Sequence, residues 1–353
     1  MTETNLKDSS NLPAGQRPRI SVTIPCRNEE KNIASCVNSF LSGSVPEIEV
    51  IVVDSASEDR SVAVLAEIAK NDSRLRVISN PGRITPRAFN LGIQASRAPY
   101  VCIYGGHSIP GPDWAERNLA AIAAHPDAAA VGGLLDTISD TFVGKAVAAV
   151  QSCVFGVGNV RFRVGGPPGF VDTVVYGCYR REVFDKYGYF DEQFTTNQDD
   201  ELNLRLTAAG EKLWFDPSIR TTYYARPSWR KALDQYWRYG KFKFDTFRKN
   251  GRIGAARHLA PAGFAAFLLV WLACAFLSPP LFRWGAAFFA AYLALGVYYS
   301  LKGISRFGPS MILFIPVALS VHLAYGFGTW YGAIRSFVRG AGVSGQPAAP
   351  GIS

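Results

Sequence analysis

The strongest constraint on this chain is a set of charge-free apolar segments in its last third. Residues 259–282, 284–301 and 310–334 contain no Asp, Glu, Lys or Arg. A helix needs about 20 apolar residues to cross about 30 Å of hydrocarbon, which the first and third segments exceed and the second approaches. Three such segments so close together are more than a soluble core usually contains. The sequence therefore predicts about three transmembrane helices over residues 259–335.

The positive charge of the chain is concentrated just before the first apolar segment. The net charge is +9, and residues 226–257 alone hold ten Lys and Arg against two Asp. Basic residues beside a membrane span lie on the cytoplasmic side and bind anionic lipid. We therefore predict a basic amphipathic interfacial segment at 226–258 and a cytoplasmic domain before it. Nucleic acid is not an expected partner, because the cations adjoin a span and no recognition motif occurs.

Residues 19–225 alternate between strand-like and helix-like patterns. Apolar runs typical of strands lie at 20–25, 49–53, 75–78, 100–104 and 129–131. The segments between them have helical spacing, which predicts an α/β domain with a mostly parallel sheet covered on both faces. The polar residues 1–18 are expected to form a disordered leader, and 336–353 a flexible tail.

Polar residues follow the first two predicted strands, where parallel sheets bind ligands. The sequence Pro-Cys-Arg-Asn-Glu-Glu begins at Pro25, and Asp-Ser-Ala-Ser-Glu-Asp begins at Asp54. A carboxylate directly after an apolar strand can accept hydrogen bonds from a base or a ribose. Each motif alone is also compatible with a helix cap, at Asn28 or Ser57. Together, at this separation, they indicate a nucleotide site.

These two segments, with several later ones, resemble the family-2 inverting glycosyltransferases. The matching sequences, in chain order, are IPCRNEEKNI, EVIVVDSASEDRS, NPGR, AFNLGI, VDT, YGCYRR, GYFDE, NQDDEL and QYWRY. Their order and spacing over residues 20–245 make the resemblance specific. It implies a GT-A fold, which is Rossmann-like. With the apolar C-terminal segments, the chain is similar to bacterial exopolysaccharide glucosyltransferases of the succinoglycan-pathway type, which implies the bacterial inner (plasma) membrane.

The resemblance implies roles for individual residues. Asp199 is expected to be the base that deprotonates the acceptor hydroxyl. The alternative for the acidic turn that contains it is a solvated helix N-terminus. Gln235, Arg238 and Tyr239 are expected to contact the diphosphate or the acceptor, although Arg238 also suits a lipid headgroup. The implied nucleotide-sugar-binding residues are Pro25, Arg27, Glu29, Asp54, Arg83, Asn90, Gly106 and His107.

One position departs from the family pattern. Members usually carry Asp-x-Asp or Asp-x-His after the central strand and bind a divalent cation, Mn²⁺ or Mg²⁺, on the diphosphate. This chain has Gly105-Gly106-His107, so the first carboxylate is missing. Imidazole suits Mn²⁺ better than Mg²⁺. Two alternatives follow: a weaker metal site that uses His107, or replacement of part of the metal's role by cations such as Arg238.

The resemblance implies an inverting transfer of a hexose, expected to be glucose, from a cytoplasmic nucleotide sugar, expected to be UDP-glucose. The expected acceptor is a polyprenyl-diphosphate-linked saccharide in exopolysaccharide or cell-surface glycan synthesis. Three alternatives stay open. They are a processive polysaccharide synthase, which shares the motif at Gln235 and Arg238, a polyprenyl-phosphate glycosyltransferase, and a non-catalytic protein that binds a nucleotide sugar or lipid carrier. Gly105 motivates the last of these.

Overall fold

The computed structural model describes residues 17–251 and 254–340, which form two compact units. The sheet unit consists of the described residues up to Ile138 together with Val160–Tyr224. The helical unit consists of Ser139–Asn159 together with the described residues from Ala225 onward. Most of the predicted leader and tail lies outside the described residues. The segment Ser139–Asn159, which the sequence places within the first domain, groups with the helical unit.

The sheet unit is built on nine strands. They are β1 (Ile20–Cys26), β2 (Ile48–Asp54), β3 (Leu75–Ser79), β4 (Tyr100–Ile103), β5 (Ser108–Pro110), β6 (Ala128–Ile138), β7 (Gly169–Val171), β8 (Cys178–Arg180) and β9 (Lys212–Tyr224). The order is β3-β2-β1-β4-β8-β6-β9-β5, and β7 pairs with β9. Strands β1 to β4, β6 and β9 run parallel to one another, whereas β5, β7 and β8 are antiparallel to their neighbours. The predicted mostly parallel sheet is confirmed.

Helices cover both faces of this sheet, because its central strands are apolar on both sides. In β2, Val50 and Val52 belong to one apolar cluster, and Ile51 and Val53 to another. The first face is covered by α1 (Ile33–Leu41), α2 (Ser61–Asn71) and α4 (Trp114–Ala124). The second is covered by α3 (Thr85–Ala95), α8 (Arg181–Tyr187) and α9 (Gln198–Ala208). Such two-sided burial explains why the strands read as continuous apolar runs.

The helical unit has no strands among its described residues. Its helices are α5 (Phe142–Gln151), α6 (Val154–Val157), α10 (Trp229–Asn250), α11 (Ala260–Leu277), α12 (Pro279–Phe307) and α13 (Phe314–Gly340). A further short helix, α7 (Arg161–Val164), belongs to the sheet unit, and single 3-10 turns occur at Ala256–His258 and Gly308–Leu313.

Two apolar helical stretches in the described part of the chain are long enough to cross a membrane, by length and composition. They are Ala260–Leu277 and Pro279–Val338, and the second includes α12 and all but the last two residues of α13. The structure differs from the sequence pattern at the middle segment. Helix α12 continues through Arg283 and Lys302, because charged side chains do not end a helix, and it stops before Gly308, whose φ is +65°. The number of crossings stays a prediction.

Within the helical unit, α10 and α13 approach closely through glycines. A Cβ atom on Gly240 would lie 2.1 Å from the Tyr325 carbonyl oxygen. On α13, Cβ atoms on Gly328 and Gly332 would lie 2.4 Å from the Trp237 oxygen and 2.3 Å from the Lys241 oxygen. Any larger residue at these positions forces the two backbones apart. The close contact of the basic helix with the last apolar helix therefore depends on glycine.

We expect Gly332→Leu to lower the thermal unfolding midpoint of the detergent-solubilised protein by several degrees. Overpacking of a close contact typically costs about 1–3 kcal/mol. The matched control is Gly263→Leu in α11, because a Cβ there meets nothing within 4 Å. An equal shift from both substitutions would contradict the close packing of α10 and α13.

Candidate active site

The candidate site lies where the parallel strands of the sheet unit end. Cys26 is paired with Asp54, and Asp54 with Ser79, so the loops after β1, β2 and β3 leave the sheet side by side. Strand β8 is antiparallel to β4 and β6, so the residues just before it lie at this same edge. The topology therefore places five segments at one edge of the sheet: the four loops that follow β1, β2, β3 and β4, and the segment that precedes β8.

The loops after β1 and β2 are joined by reciprocal hydrogen bonds. The Asn28 amide donates to Ser57 Oγ at 2.9 Å, and the Glu58 amide donates to Asn28 Oδ1 at 2.8 Å. The Glu30 amide donates to Asp59 Oδ2 at 3.1 Å. These bonds hold Asn28 in a left-handed conformation, with φ of +55°. They also explain why α1 begins at Ile33 rather than directly after a cap at Asn28.

Asp54 lies beneath these joined loops and is 8% exposed. Its Oδ2 accepts a hydrogen bond from the Ser57 amide at 3.2 Å, and its buried Oδ1 has no partner in the described part of the chain. Burial, and after it the nearby Asp54 carboxylate, raises the pKa of the Cys26 thiol to about 11. That thiol is therefore neutral at physiological pH, and the acceptor atoms of this pair belong to Asp54. It offers an acceptor oxygen to a ligand.

The other residues predicted to bind the nucleotide sugar differ in their surroundings. Pro25 is the penultimate residue of β1 and pairs with Val53, and Arg27 is exposed in the loop that follows. Arg83 is exposed, has φ of +56° and lies 3.8 Å from a Glu58 carboxylate oxygen.

Asn90 is different, because its amide already bonds the protein. Its Nδ2 donates to the Phe190 carbonyl and its Oδ1 accepts from the Phe190 amide, both at 2.9 Å. A structural role for Asn90 is therefore visible, whereas contact with a nucleotide stays a prediction.

The segment after β4 contains the departure from the family pattern. A Cβ on Gly105 would lie 2.7 Å from the Tyr176 hydroxyl oxygen, which therefore occupies the space of a side chain at this position. His107 Nδ1 lies 3.6 Å from Glu29 Oε1. Gly106 is buried, and a Cβ there would lie 3.4 Å from Ile33 Cδ1. The structure thus brings Glu29 and His107 together.

These residues do not assemble a metal site of the expected kind. Among the described residues no group of three or more His, Cys, Asp or Glu is placed to hold a metal ion. Glu29, in the loop after β1, lies near His107, in the segment after β4, and a carboxylate at position 105 would collide with Tyr176. Metal ligation by His107 stays a prediction.

Asp199 lies in the first turn of α9, which is anchored at the same sheet edge. Asn203 on this helix is buried and donates to Thr173 Oγ1 at 2.9 Å and to the Val174 carbonyl at 2.8 Å. The Asp200 amide donates to Asp199 Oδ1 at 2.9 Å. Burial, and after it the negative charge of Asp199, raises the pKa of the Tyr179 hydroxyl. The predicted base is thus held by the segment that leads into β8.

Gln235, Arg238 and Tyr239 lie on α10 in the helical unit. Gln235 is 3% exposed and its Nε2 donates to the Tyr239 hydroxyl at 2.8 Å. Arg238 is exposed, and its Nε donates to the Asp234 carbonyl at 3.2 Å. Contact of these three residues with a diphosphate or acceptor stays a prediction.

The structure adds residues that the sequence patterns did not single out. Tyr176 lies within a segment that resembles the family, but no role followed from the sequence for its hydroxyl. Arg163 and Tyr223 also lie at this sheet edge, far apart in the chain. The sequence carries one signal for Tyr176: glycine in place of the usual carboxylate at position 105 leaves space that another side chain can fill.

We expect Asp54→Asn to weaken nucleotide binding about ten-fold while the protein stays folded. The substitution removes the charge of a buried acceptor, and hydrogen bonds to charged groups contribute about 1.5–3 kcal/mol. Titration calorimetry with UDP and GDP measures the effect. The matched control is Asp127→Asn, which removes an exposed carboxylate paired with Lys212. Unchanged affinity in Asp54→Asn would contradict this position for the nucleotide.

The fold places the protein in the GT-A class of α/β proteins. A mannosyltransferase from Pyrobaculum calidifontis, solved in complex with GDP-Man and Mn²⁺, aligns with a TM-score of 0.60 and 19% identity, over 88% of this chain and 87% of that one. The Glycosyl transferase family 2 model matches residues 21–188. The chain belongs to glycosyltransferase family 2.

Two relatives are similar to most of the chain. One is a dolichyl N-acetyl-alpha-D-glucosaminyl phosphate 3-beta-D-2,3-diacetamido-2,3-dideoxy-beta-D-glucuronosyltransferase from Methanococcus voltae, 31% identical over 65% of this chain and 74% of that protein. The other is the succinoglycan biosynthesis protein ExoA of Rhizobium meliloti (strain 1021), 28% identical over 88% of this chain and 93% of that protein. This chain is therefore a glycosyltransferase of glycan or polysaccharide synthesis.

Proposed function

We propose that this protein transfers a hexose, with inversion, from a cytoplasmic nucleotide sugar to a polyprenyl-diphosphate-linked saccharide. The proposed donor is UDP-glucose and the proposed location is the bacterial inner membrane. One observation carries the proposal: similarity to a succinoglycan biosynthesis protein extends over 88% of this chain and 93% of that protein. An enzyme that combines a nucleotide-sugar site with membrane-length helices is suited to a lipid-linked acceptor.

The lipid-linked acceptor has a second line of support. The name of the Methanococcus voltae relative states that it acts on a dolichyl-phosphate-linked sugar. In this chain the corresponding proposal is that a membrane-held carrier presents its terminal sugar hydroxyl to Asp199. Asp199 takes the proton of that hydroxyl while the hydroxyl oxygen attacks the anomeric carbon of the donor sugar. The nucleoside diphosphate leaves from the opposite face.

The basic helix α10 supports contact with anionic lipid. Its exposed cations include Arg230, Lys231, Arg248 and Lys249, whereas Ala232, Gln235 and Tyr236 are buried. A helix with one buried face and one basic face is typical of segments that lie at a membrane surface. We propose that this contact places the sheet unit on the cytoplasmic side.

The proposal is tested by nucleoside diphosphate release from the full chain in nanodiscs. UDP-glucose, UDP-galactose and GDP-mannose are supplied with Mn²⁺, Mg²⁺ or chelator, each with and without bacterial lipid extract. We expect release from UDP-glucose that requires the extract, together with one hexose added to an extracted lipid-linked saccharide by mass spectrometry.

The other outcomes identify the alternatives. Release with purified polyprenyl phosphate alone would identify a polyprenyl-phosphate transferase. Addition of many hexoses would identify a processive synthase. Nucleotide-sugar binding without release from any donor would contradict catalysis.

A further inference from the structure

The leaving diphosphate requires positive charge nearby. The segment after β4 has glycine at position 105, so it lacks the carboxylate that would bind a metal cation there. The Tyr176 hydroxyl fills the space beside Gly105 and lies 2.8 Å from Ser108 Oγ. Its ring packs on Tyr104, with centroids 4.5 Å apart, and its backbone is left-handed, with φ of +48°. Tyr176 is therefore held in place by several contacts.

Tyr223 connects His107 to an arginine. Ser108, the residue after His107, is paired with Tyr223 across β5 and β9. The His107 and Tyr223 rings meet edge to face, with centroids 6.1 Å apart. On the other side of β9, Thr137 is paired with Tyr223 across β6 and β9. Tyr223, which is 5% exposed, thus links the segment after β4 to the end of β6.

Arg163 contacts this same tyrosine. Its guanidinium carbon lies 4.6 Å from the centroid of the Tyr223 ring, and its Nη1 lies 3.4 Å from Thr137 Oγ1. Arg163 belongs to the short helix α7, which ends at Val164 and is followed by Gly165, whose φ is +80°. A guanidinium presents its N–H groups in its own plane, in a fork that matches phosphate oxygens, and an aromatic ring beneath it adds a cation–π attraction.

We propose that Arg163, stacked on Tyr223, and His107 together bind the diphosphate of the donor. In this chain the Arg163 guanidinium supplies positive charge and both side chains supply N–H donors, in place of the carboxylate-bound metal of relatives with the full motif. The inference rests on the proposed function, because it names the groups that hold the leaving nucleoside diphosphate. Both side chains contact the Tyr223 ring and carry N–H donors. Together they can bind an anion without a metal held by a carboxylate at position 105.

The test compares binding of a nucleoside with binding of its diphosphate, in chelator, by titration calorimetry of the full chain in nanodiscs. Uridine with UDP and guanosine with GDP are the probes. We expect Arg163→Gln to weaken diphosphate binding about ten- to thirty-fold and to leave nucleoside binding unchanged. His107→Ala is expected to act in the same direction. Arg163→Lys is expected to retain part of the affinity, because the charge remains.

The matched control is Arg161→Gln, which makes the same change two residues earlier in α7. Arg161 donates to the Pro167 carbonyl at 3.1 Å. It is expected to bind the diphosphate as the wild type does, and equal thermal midpoints for the variants exclude misfolding. Equal losses from Arg161→Gln and Arg163→Gln would overturn the assignment.

Two further results would overturn the inference and are distinguishable from failure of the proposed function. In the first, Arg163→Gln binds the diphosphate normally but has a raised KM for the lipid-linked acceptor, so that Arg163 serves the acceptor's phosphates. In the second, wild-type diphosphate binding disappears in chelator and returns with Mn²⁺, whereas Arg163→Gln has no effect. If the wild type binds no nucleoside or nucleotide, the proposed function and this inference both fail.

Discussion

Asp199→Asn is expected to reduce hexose transfer to a lipid-linked saccharide about a thousand-fold. General base catalysis contributes about 10²–10⁴ to such reactions, and an amide cannot take the proton of the acceptor hydroxyl. The anchoring bonds of α9 are made by Asn203, four residues further on, so the helix and the nucleotide site are expected to remain intact. Nucleoside diphosphate release under saturating donor and acceptor measures the rate.

The control for this prediction is Asp185→Asn, the same chemical change at an exposed position on α8. It is expected to be fully active, and both variants are expected to bind the nucleotide as the wild type does. A mild effect of Asp199→Asn would contradict its role as base. It would also favour polyprenyl phosphate as acceptor, because a bare phosphate needs no deprotonation.

The second large effect is expected from Glu49→Gln, on stability. Glu49 is fully buried on β2, where its carboxylate accepts hydrogen bonds from Ser21 Oγ at 2.7 Å, Arg97 Nε at 2.7 Å and Arg76 Nη1 at 2.9 Å. It joins β1, β3 and the segment before β4. Removal of one partner from a buried ion pair typically costs about 3–5 kcal/mol, because the remaining charges lose their compensation. Arg76 and Arg97 are 31% and 39% exposed, so a loss at the lower end of this range is expected. Denaturant unfolding followed by tryptophan fluorescence measures the loss.

The control for Glu49→Gln is Glu67→Gln. Glu67 is 68% exposed and pairs with Lys70 on α2. Exposed pairs contribute about 0–1 kcal/mol, so a small change is expected. Equal losses from the two substitutions would show that Glu49 does not anchor the sheet.

Glu49 also predicts a dependence of stability on pH. Burial alone raises the pKa of its carboxyl, but the hydrogen bonds from Ser21 and Arg76 and the Arg97 charge outweigh it and lower the pKa below 4.5. A group whose pKa is lowered on folding stabilises the protein above its unfolded pKa. This contribution is therefore present above pH 4.5 and is lost as the pH falls through the lowered value. In Glu49→Gln, the free energy of unfolding is expected to fall less steeply with decreasing pH below 4.5. The same pH dependence as in the wild type would contradict this role of Glu49.

Much of the sheet was predictable from the chain because its signals are local. Apolar runs predicted β1 to β4, and the carboxyl-end rule predicted where polar residues would meet. The start of α1 was not predictable from spacing alone. The bonds between Asn28 and the loop after β2 compete with the helix, and they form only once β1 and β2 lie side by side.

The candidate site divides in the same way. Asp54 and Asp199 were predicted because each lies in a short motif that resembles the family. The filling of the space at Gly105 was not, because Tyr176 lies 71 residues away in the chain.

The sequence by itself determined the α/β class of the sheet unit, the apolar character of the C-terminal helices and the concentration of positive charge before them. These properties follow from periodicity and composition, which act over a few residues. Only the tertiary structure decided that Arg163 stacks on Tyr223 beside His107, and that Asn90 bonds the backbone of Phe190. Such contacts depend on strand order and register, which join residues far apart in the chain and which no local pattern specifies.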